Sequence, residues 1–142
     1  MADAVPFQLI TPKALVFEGD ATLVIAVGTE GEIGIQPQHA PFLTPLRPGV
    51  LRANVLDGSG TMRLELATGE GFLQALPGKI TVLTDVAFGR GEVDIAQARE
   101  DLAQATEEQR AAGSDAVGWR RAQTKIDLAT AKLKVEGAGA LT

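Results

Sequence analysis

From Phe7 to about Ala87 the apolar and polar positions change direction every few residues, and the runs between turns are too short for helices. Candidate strands are Phe7 to Thr11, Ala14 to Glu18, Ala21 to Gly28, Gly34 to Gln36, Gly49 to Asn54, Gly60 to Ala67, Gly71 to Leu76 and Lys79 to Thr84. In Met62 to Leu66 the charges of Arg63 and Glu65 take one face while Met62, Leu64 and Leu66 take the other. That is the period of two of a half-buried strand. Asp57, Gly58, Ser59 and Gly60 make one hairpin connection, and Pro77 with Gly78 makes another. Many short strands at this spacing predict an antiparallel sandwich or flattened barrel.

After Arg90 and Gly91 the text shifts to Ala, Gln, Glu and Arg, all good helix formers, and Gly and Pro vanish for about twenty residues. Asp94 or Glu92 can serve the first turn, and Ile95, Ala98, Leu102, Ala105 and Ala112 lie near one stripe. Gly113, Ser114 and Asp115 offer a stop and a new N-cap. In the second helix Trp119, Ala122, Ile126, Ala129 and Leu133 repeat at spacings of three and four, the pattern of a seam facing a partner helix. An alanine-rich seam contributes far less than the roughly 1.5–3 kcal/mol of each fully buried Leu or Ile, so the hairpin should lean on the strands or on another subunit and detach cheaply. Glu92, Asp94, Glu100, Asp101, Glu107 and Glu108 oppose two bases in the first helix, whereas Asp115 to Glu136 holds three acids and five bases. The opposite signs favour antiparallel pairing, although exposed ion pairs are each worth little. The expected fold class is therefore α+β, an N-terminal antiparallel β-sandwich over residues 1–88 and a C-terminal antiparallel two-helix hairpin over 89–142 that ends in a frayed tail from Gly137 to Thr142. Gly89, Arg90 and Gly91 read as the hinge between them.

Composition narrows the partners. The chain has 142 residues, 45% of them hydrophobic but only 4% aromatic, so aliphatic side chains must fill its core. A net charge of -5 argues against holding nucleic acid or an anionic membrane by bulk electrostatics. Without cysteine there are no disulfides, thiolate metal sites or cysteine nucleophiles. The opening MADAVPFQLITPK has neither a secretory nor a transit pattern. No window approaches the roughly 20 apolar residues that span a bilayer, so work at a membrane requires a partner that holds the chain there and no direct insertion.

The segment from Gly31 to Gly49 is the densest in turn residues and holds the chain's single histidine. Pro37, Pro41, Pro45 and Pro48 fix the backbone between Ile33, Ile35, Phe42, Leu43 and Leu46, which reads as short strands joined by tight turns holding a surface in fixed shape. His39 is the one candidate general base, because only histidine titrates near neutral pH unaided. Nothing around it supplies a nucleophile and an orienting group, and a lone histidine between Pro37 and Pro41 fits a structural or interface residue better. One histidine and scattered acids make a poor metal set, and there is no phosphate-cradling GxxxxGK[ST] or strand-linked GxGxxG. No catalytic residue, metal or cofactor is expected.

Glu30, Gly31, Glu32, Ile33, Gly34, Ile35, Pro37, His39, Ala40, Pro41, Leu43, Thr44, Leu46, Pro48 and Gly49, in that order, resemble the signature of the epsilon subunit of bacterial F-type ATP synthases, counterpart of the mitochondrial delta subunit. The likeness continues through ITVLTDVA at Ile80 to Ala87 and into the two helices. It implies a non-catalytic rotor subunit held at the cytoplasmic face of the bacterial plasma membrane, in which the sandwich joins the gamma subunit to the membrane ring of c subunits during proton-driven ATP synthesis. By residue, it implies that Glu30, Gly31 and Glu32 face the rotor ring, and that Thr11, His39, Ala40, Pro41, Phe42, Leu43 and Thr44 face gamma. In some members the hairpin opens and its second helix inserts into the catalytic alpha and beta subunits, blocking ATP hydrolysis, so the resemblance also allows the hairpin a regulatory role. Arg120, Arg121, Lys125 and Lys132 permit that here, and they equally suit a solvated helix face.

One family property is not expected. Members that bind ATP open the first helix with Ile-Asp-x-x-Arg-Ala, helped by arginines on the second. Here Ile95, Ala96, Gln97, Ala98, Arg99 and Glu100 lack the acid and the alanine, and Leu128 and Lys132 stand where the arginines would be. The alternatives from other classes are a free-standing β domain that inhibits an enzyme or binds a ligand, and, more remotely, an enzyme built on His39 and a carboxylate.

Overall fold

A computed structural model of the chain describes residues 3–137. Nine strands precede two helices: β1 (Val5–Thr11), β2 (Ala14–Gly28), β3 (Gly31–Ile35), β4 (Phe42–Leu46), β5 (Gly49–Asp57), β6 (Gly60–Thr68), β7 (Gly71–Leu76), β8 (Lys79–Thr84), β9 (Ala87–Phe88), α1 (Ile95–Ala112) and α2 (Ala116–Val135). Beyond Gly137 itself, the tail expected to fray lies outside the described residues.

The strands run in the order β1-β8-β7-β4-β2-β5-β6-β9, with β3 also on β2 and β1 also on β2. Long β2 is the shared wall: its first half pairs with β1 and its second half with β3 and β5. The sequence reading cut it in two at Gly19 and Asp20, yet the ladder to β1 runs through both. A bulge follows between Ala21 and Leu23. The extra residue shifts the alternation by one, so that Ala21 and then Val24, Ala26 and Gly28 face inward. The core collects Phe7 and Leu9 from β1, Val24 from β2, Leu51 and Val55 from β5, Leu73 from β7, and Ile80 and Val82 from β8. All of these sit on alternate positions of their strands, the mark of two sheets packed face to face.

Two expectations need correcting. Strand β4 is missing from the candidate strands, although its segment reads as short strands joined by tight turns, and Pro45 lies within it. It pairs with β7 throughout but meets β2 only at Gly28 opposite Leu46, so it is nearly an edge strand, where a residue with no N–H is tolerated. The sandwich is also not wholly antiparallel: β1 and β8 pair in parallel. Six strands intervene between them in sequence, so no hairpin dictates their relative direction.

The hairpin forms as its caps predict. The Asp94 carboxylate accepts from the Gln97 N–H at 3.1 Å, and that of Asp115 accepts from the Gly118 N–H at 3.1 Å. Ala98, Ala105, Ala122 and Ala129 are buried between the helices. Gln109 donates to Gln123, and Lys125 pairs with Glu108 at 3.0 Å. That register puts Trp119 opposite the turn at Gly113, where α1 has ended, so Trp119 is 44% exposed rather than part of the seam. The other end of α2 docks on the strands, Ala131 and Val135 packing with Ala67, Val50 and Phe88.

Candidate functional site

Two surface regions hold the residues singled out by sequence. The first is the β2–β3 turn. Gly31 takes φ +130°, a backbone conformation that L side chains rarely adopt, which lets β2 reverse tightly into β3 with Gly28 opposite Gly31. Glu30 is exposed at its tip. Glu32 is not free: Arg52 of β5 donates to its carboxylate at 2.6 Å. Glu32 and Arg52 also border an open groove between the sheet and α2, lined further by Arg47, Asp127 and Lys134.

The second region splits. His39 Nδ1 lies 2.8 Å from the Gln36 carbonyl, so this nitrogen carries the proton and donates. Nε2 is buried and without a hydrogen-bond partner, and the ring meets Phe42 edge-on with centroids 6.4 Å apart. The imidazole borders a hollow with Leu23, Gly34, Gln36 and Gln38, on the β2–β3 side. It faces no nucleophile. Ala40 and Pro41 are exposed, whereas Phe42 packs against the core.

Leu43, 66% exposed, points to a different face. There it shares a shallow concavity with Phe72, Gln74, Thr81 and Leu83. The registers explain the grouping. Leu15 lies opposite Ile10, Ile10 beside Leu83, Leu83 opposite Phe72, and Phe72 opposite Pro45. These five residues form one row straight across β2, β1, β8, β7 and β4, about 19 Å long at the usual strand spacing. Leu15, Phe72 and Leu83 are about half exposed, at 52%, 53% and 49%. The adjacent row, Glu18, Gln8, Thr81, Gln74 and Leu43, is polar except at its last member. An apolar row of this extent, rimmed by polar residues, marks an interaction face. Thr11, beside Ile10, borders it at one end and Leu43 at the other. Phe72, Leu83, Ile10 and Leu15 were not found from sequence.

On the hairpin, Arg120 and Arg121 are exposed, Lys125 is engaged by Glu108, and the Lys132 ammonium sits 4.5 Å from the centre of the Phe88 ring. The cleft between the helices is lined by Asp101 and Glu108 as well as by Lys125 and Lys132, so it presents no net positive cradle. Arg110 pulls the Glu107 carboxyl below its ordinary range, but both are fully exposed on α1. Among the described residues no cluster of three or more acids and histidines is placed to hold a metal ion, and no helix is long and apolar enough to cross a membrane.

Comparison with known proteins bears on the fold as a whole. Residues 4–90 match the family model for the beta-sandwich domain of the ATP synthase delta/epsilon chain. The ATP synthase epsilon chain of Chromobacterium violaceum is 38% identical over 128 residues, covering 89% of each chain. That of Syntrophobacter fumaroxidans is 34% identical and covers 95% of this chain and 97% of its own. In three dimensions the chain resembles one in the Euglena gracilis mitochondrial ATP synthase, with a TM-score of 0.72 at 16% identity, covering 89% of this chain and 77% of the other. It also resembles one from the central stalk and c-ring of the Tetrahymena thermophila enzyme, with a TM-score of 0.60 at 17% identity, covering 94% and 97%.

Proposed function

The chain belongs to the delta/epsilon family of ATP synthase subunits, and on that premise we propose that its sandwich clamps the gamma subunit to the membrane ring of c subunits in the rotor. The observation that carries this reading is the apolar row across five strands, which supplies a rigid face for gamma from Thr11 to Leu43. Its flank is the His39 to Pro41 loop, and the Glu30 to Glu32 turn meets the ring.

The mechanism is mechanical. A close-packed core does not deform continuously under load, so torque that enters at the turn leaves at the row without being absorbed between them. Burial of large apolar side chains fixes the gamma contact, at about 25 cal/mol per Å² removed from water. The ring contact is polar, and its strength depends on which groups compete for Glu32. We assign the clamp to the unit 1–88 and the hairpin to the unit that begins at 89, whose described helices end at Val135. The subunit has no active site of its own: His39 is held by a backbone carbonyl and lacks a reacting partner, which supports this. Its place is the cytoplasmic face of the bacterial membrane, reached only through the assembly.

Of the four cations singled out on the second helix, Arg120 and Arg121 are exposed to a partner, while Lys125 and Lys132 are engaged in the docked state. Any contact with the catalytic subunits through all four requires the helices to part. The balanced charge of the interhelical cleft, two acids against two bases, supports the expectation of no bound ATP.

Reconstitution tests the clamp. ATP synthase stripped of this subunit is expected to regain coupling between hydrolysis and proton pumping when the chain is added back. The Glu30→Lys, Glu32→Lys variant should still bind gamma but hold the ring roughly tenfold more weakly, about 1.4 kcal/mol, and so fail to restore pumping. Arg52→Gln, which releases Glu32, should restore it fully. No recovery with the wild-type chain would remove the proposal.

A further inference from the structure

We propose that Glu136 is a clasp that locks the helical hairpin against the sandwich by capping the linker that leads into it. Glu136 ends α2, yet its carboxylate turns back across the chain. Its Oε2 accepts from the Gly91 N–H at 2.6 Å and from the Val93 N–H at 3.2 Å. The linker that precedes α1 and the end of α2 are thereby tied by one side chain.

The linker depends on such help. Residues 89–93 belong to no strand or helix, so their N–H groups need other acceptors. Glu92 serves Gly89 at 2.6 Å, and Glu136 serves Gly91 and Val93. Gly91 takes φ +87°, which turns its N–H towards the α2 terminus at no steric cost. Hydrogen bonds to a carboxylate are stronger than neutral ones.

The clasp acts where docking is otherwise thin. α2 meets the sheet through Ala131 and Val135, small side chains on Ala67, Val50 and Phe88. Farther along, between Asp127 and Lys134, the groove stands open beside Arg47 and Arg52. Lys132 over Phe88 adds one cation–π contact in the same turn. Removing the carboxylate leaves two linker N–H groups without their partner and frees the α2 terminus, so the undocked hairpin becomes more populated.

The test compares the full-length chain with its Glu136→Gln and Glu136→Ala variants, with Lys134→Gln as a neighbouring charge control. The absence of cysteine allows clean spin labelling through Ser59→Cys and Ser114→Cys, both at exposed turns. In Glu136→Ala, trypsin cleavage after Arg90 and amide exchange at Gly91 and Val93 should quicken at least tenfold. The label distances should gain a longer population, while Phe7, Leu73 and Ile80 keep their exchange protection. Glu136→Gln should fall between, and Lys134→Gln should match wild type. Unchanged cleavage and exchange would overturn the clasp. So would faster linker exchange with an unchanged distance distribution, since Glu136 would then order only the linker.

Discussion

Phe72→Asp combined with Leu83→Asp is expected to weaken binding to gamma by at least a hundredfold without unfolding the chain. The two side chains are cross-strand partners at the centre of the apolar row, and each is about half exposed, at 53% and 49%. Central, well-packed residues of an interface typically cost 2 kcal/mol or more when truncated. A buried unpaired carboxylate costs more still, because it must be desolvated or protonated. Two of them should remove about 3 kcal/mol or more, and each 1.4 kcal/mol is tenfold in affinity. Stability should fall by only about 1–2 kcal/mol, from opposed carboxylates and lost strand propensity, since neither side chain enters the core. Titration calorimetry against gamma reads the affinity and thermal melting reads the fold. A variant that binds within about threefold of wild type would displace the row from the interface.

Phe7→Ala has the other large expected effect, on stability. Phe7 is fully buried, with its ring 5.6 Å from that of Phe17. It sits where β1 pairs with both β2 and β8, opposite Gly19 on one side and beside Ile80 on the other. Emptying such a site costs about 3–5 kcal/mol for the lost transfer energy and the cavity. A whole domain is stable by only about 5–15 kcal/mol, so most of the margin disappears. Urea unfolding of the variant should show a much lower midpoint with the slope little changed. Gamma binding would fall too, but in step with the folded fraction, which separates this variant from the surface pair.

The sequence carried what is local. Turn residues at Asp57 to Gly60 and at Pro77 with Gly78 marked two hairpins, Asp115 marked the start of α2, and the start of α1 lay between Asp94 and Glu92, of which Asp94 is the cap. Where two rules competed, the weaker signal misled. The turn residues around Pro45 blurred the bounds of a short strand that lies near an edge, and Gly19 with Asp20 read as a break in a strand that runs through them. The interaction row was hidden for another reason. Phe72 and Leu73 are both apolar, as are Leu83 and Val82, so alternation cannot say which of each pair faces solvent. Only the pairing of β8 with β1, in parallel and far apart in sequence, aligns Leu83 with Ile10. The Glu136 clasp is equally non-local, joining positions 45 apart. The family signature from Glu30 to Gly49 pointed to Leu43 among the gamma-facing residues, but Ile10, Phe72 and Leu83, which share its exposed apolar face, lie on strands outside that signature.

The most direct test of the clamp is amide hydrogen exchange of the whole chain, free and mixed with gamma. The account predicts a one-to-one complex in which β1, β8, β7 and β4 gain protection around Ile10, Leu83, Phe72 and Leu43, with the hairpin unchanged. No complex, or a complex whose protection falls on α1 and α2 while this face exchanges as before, would contradict it.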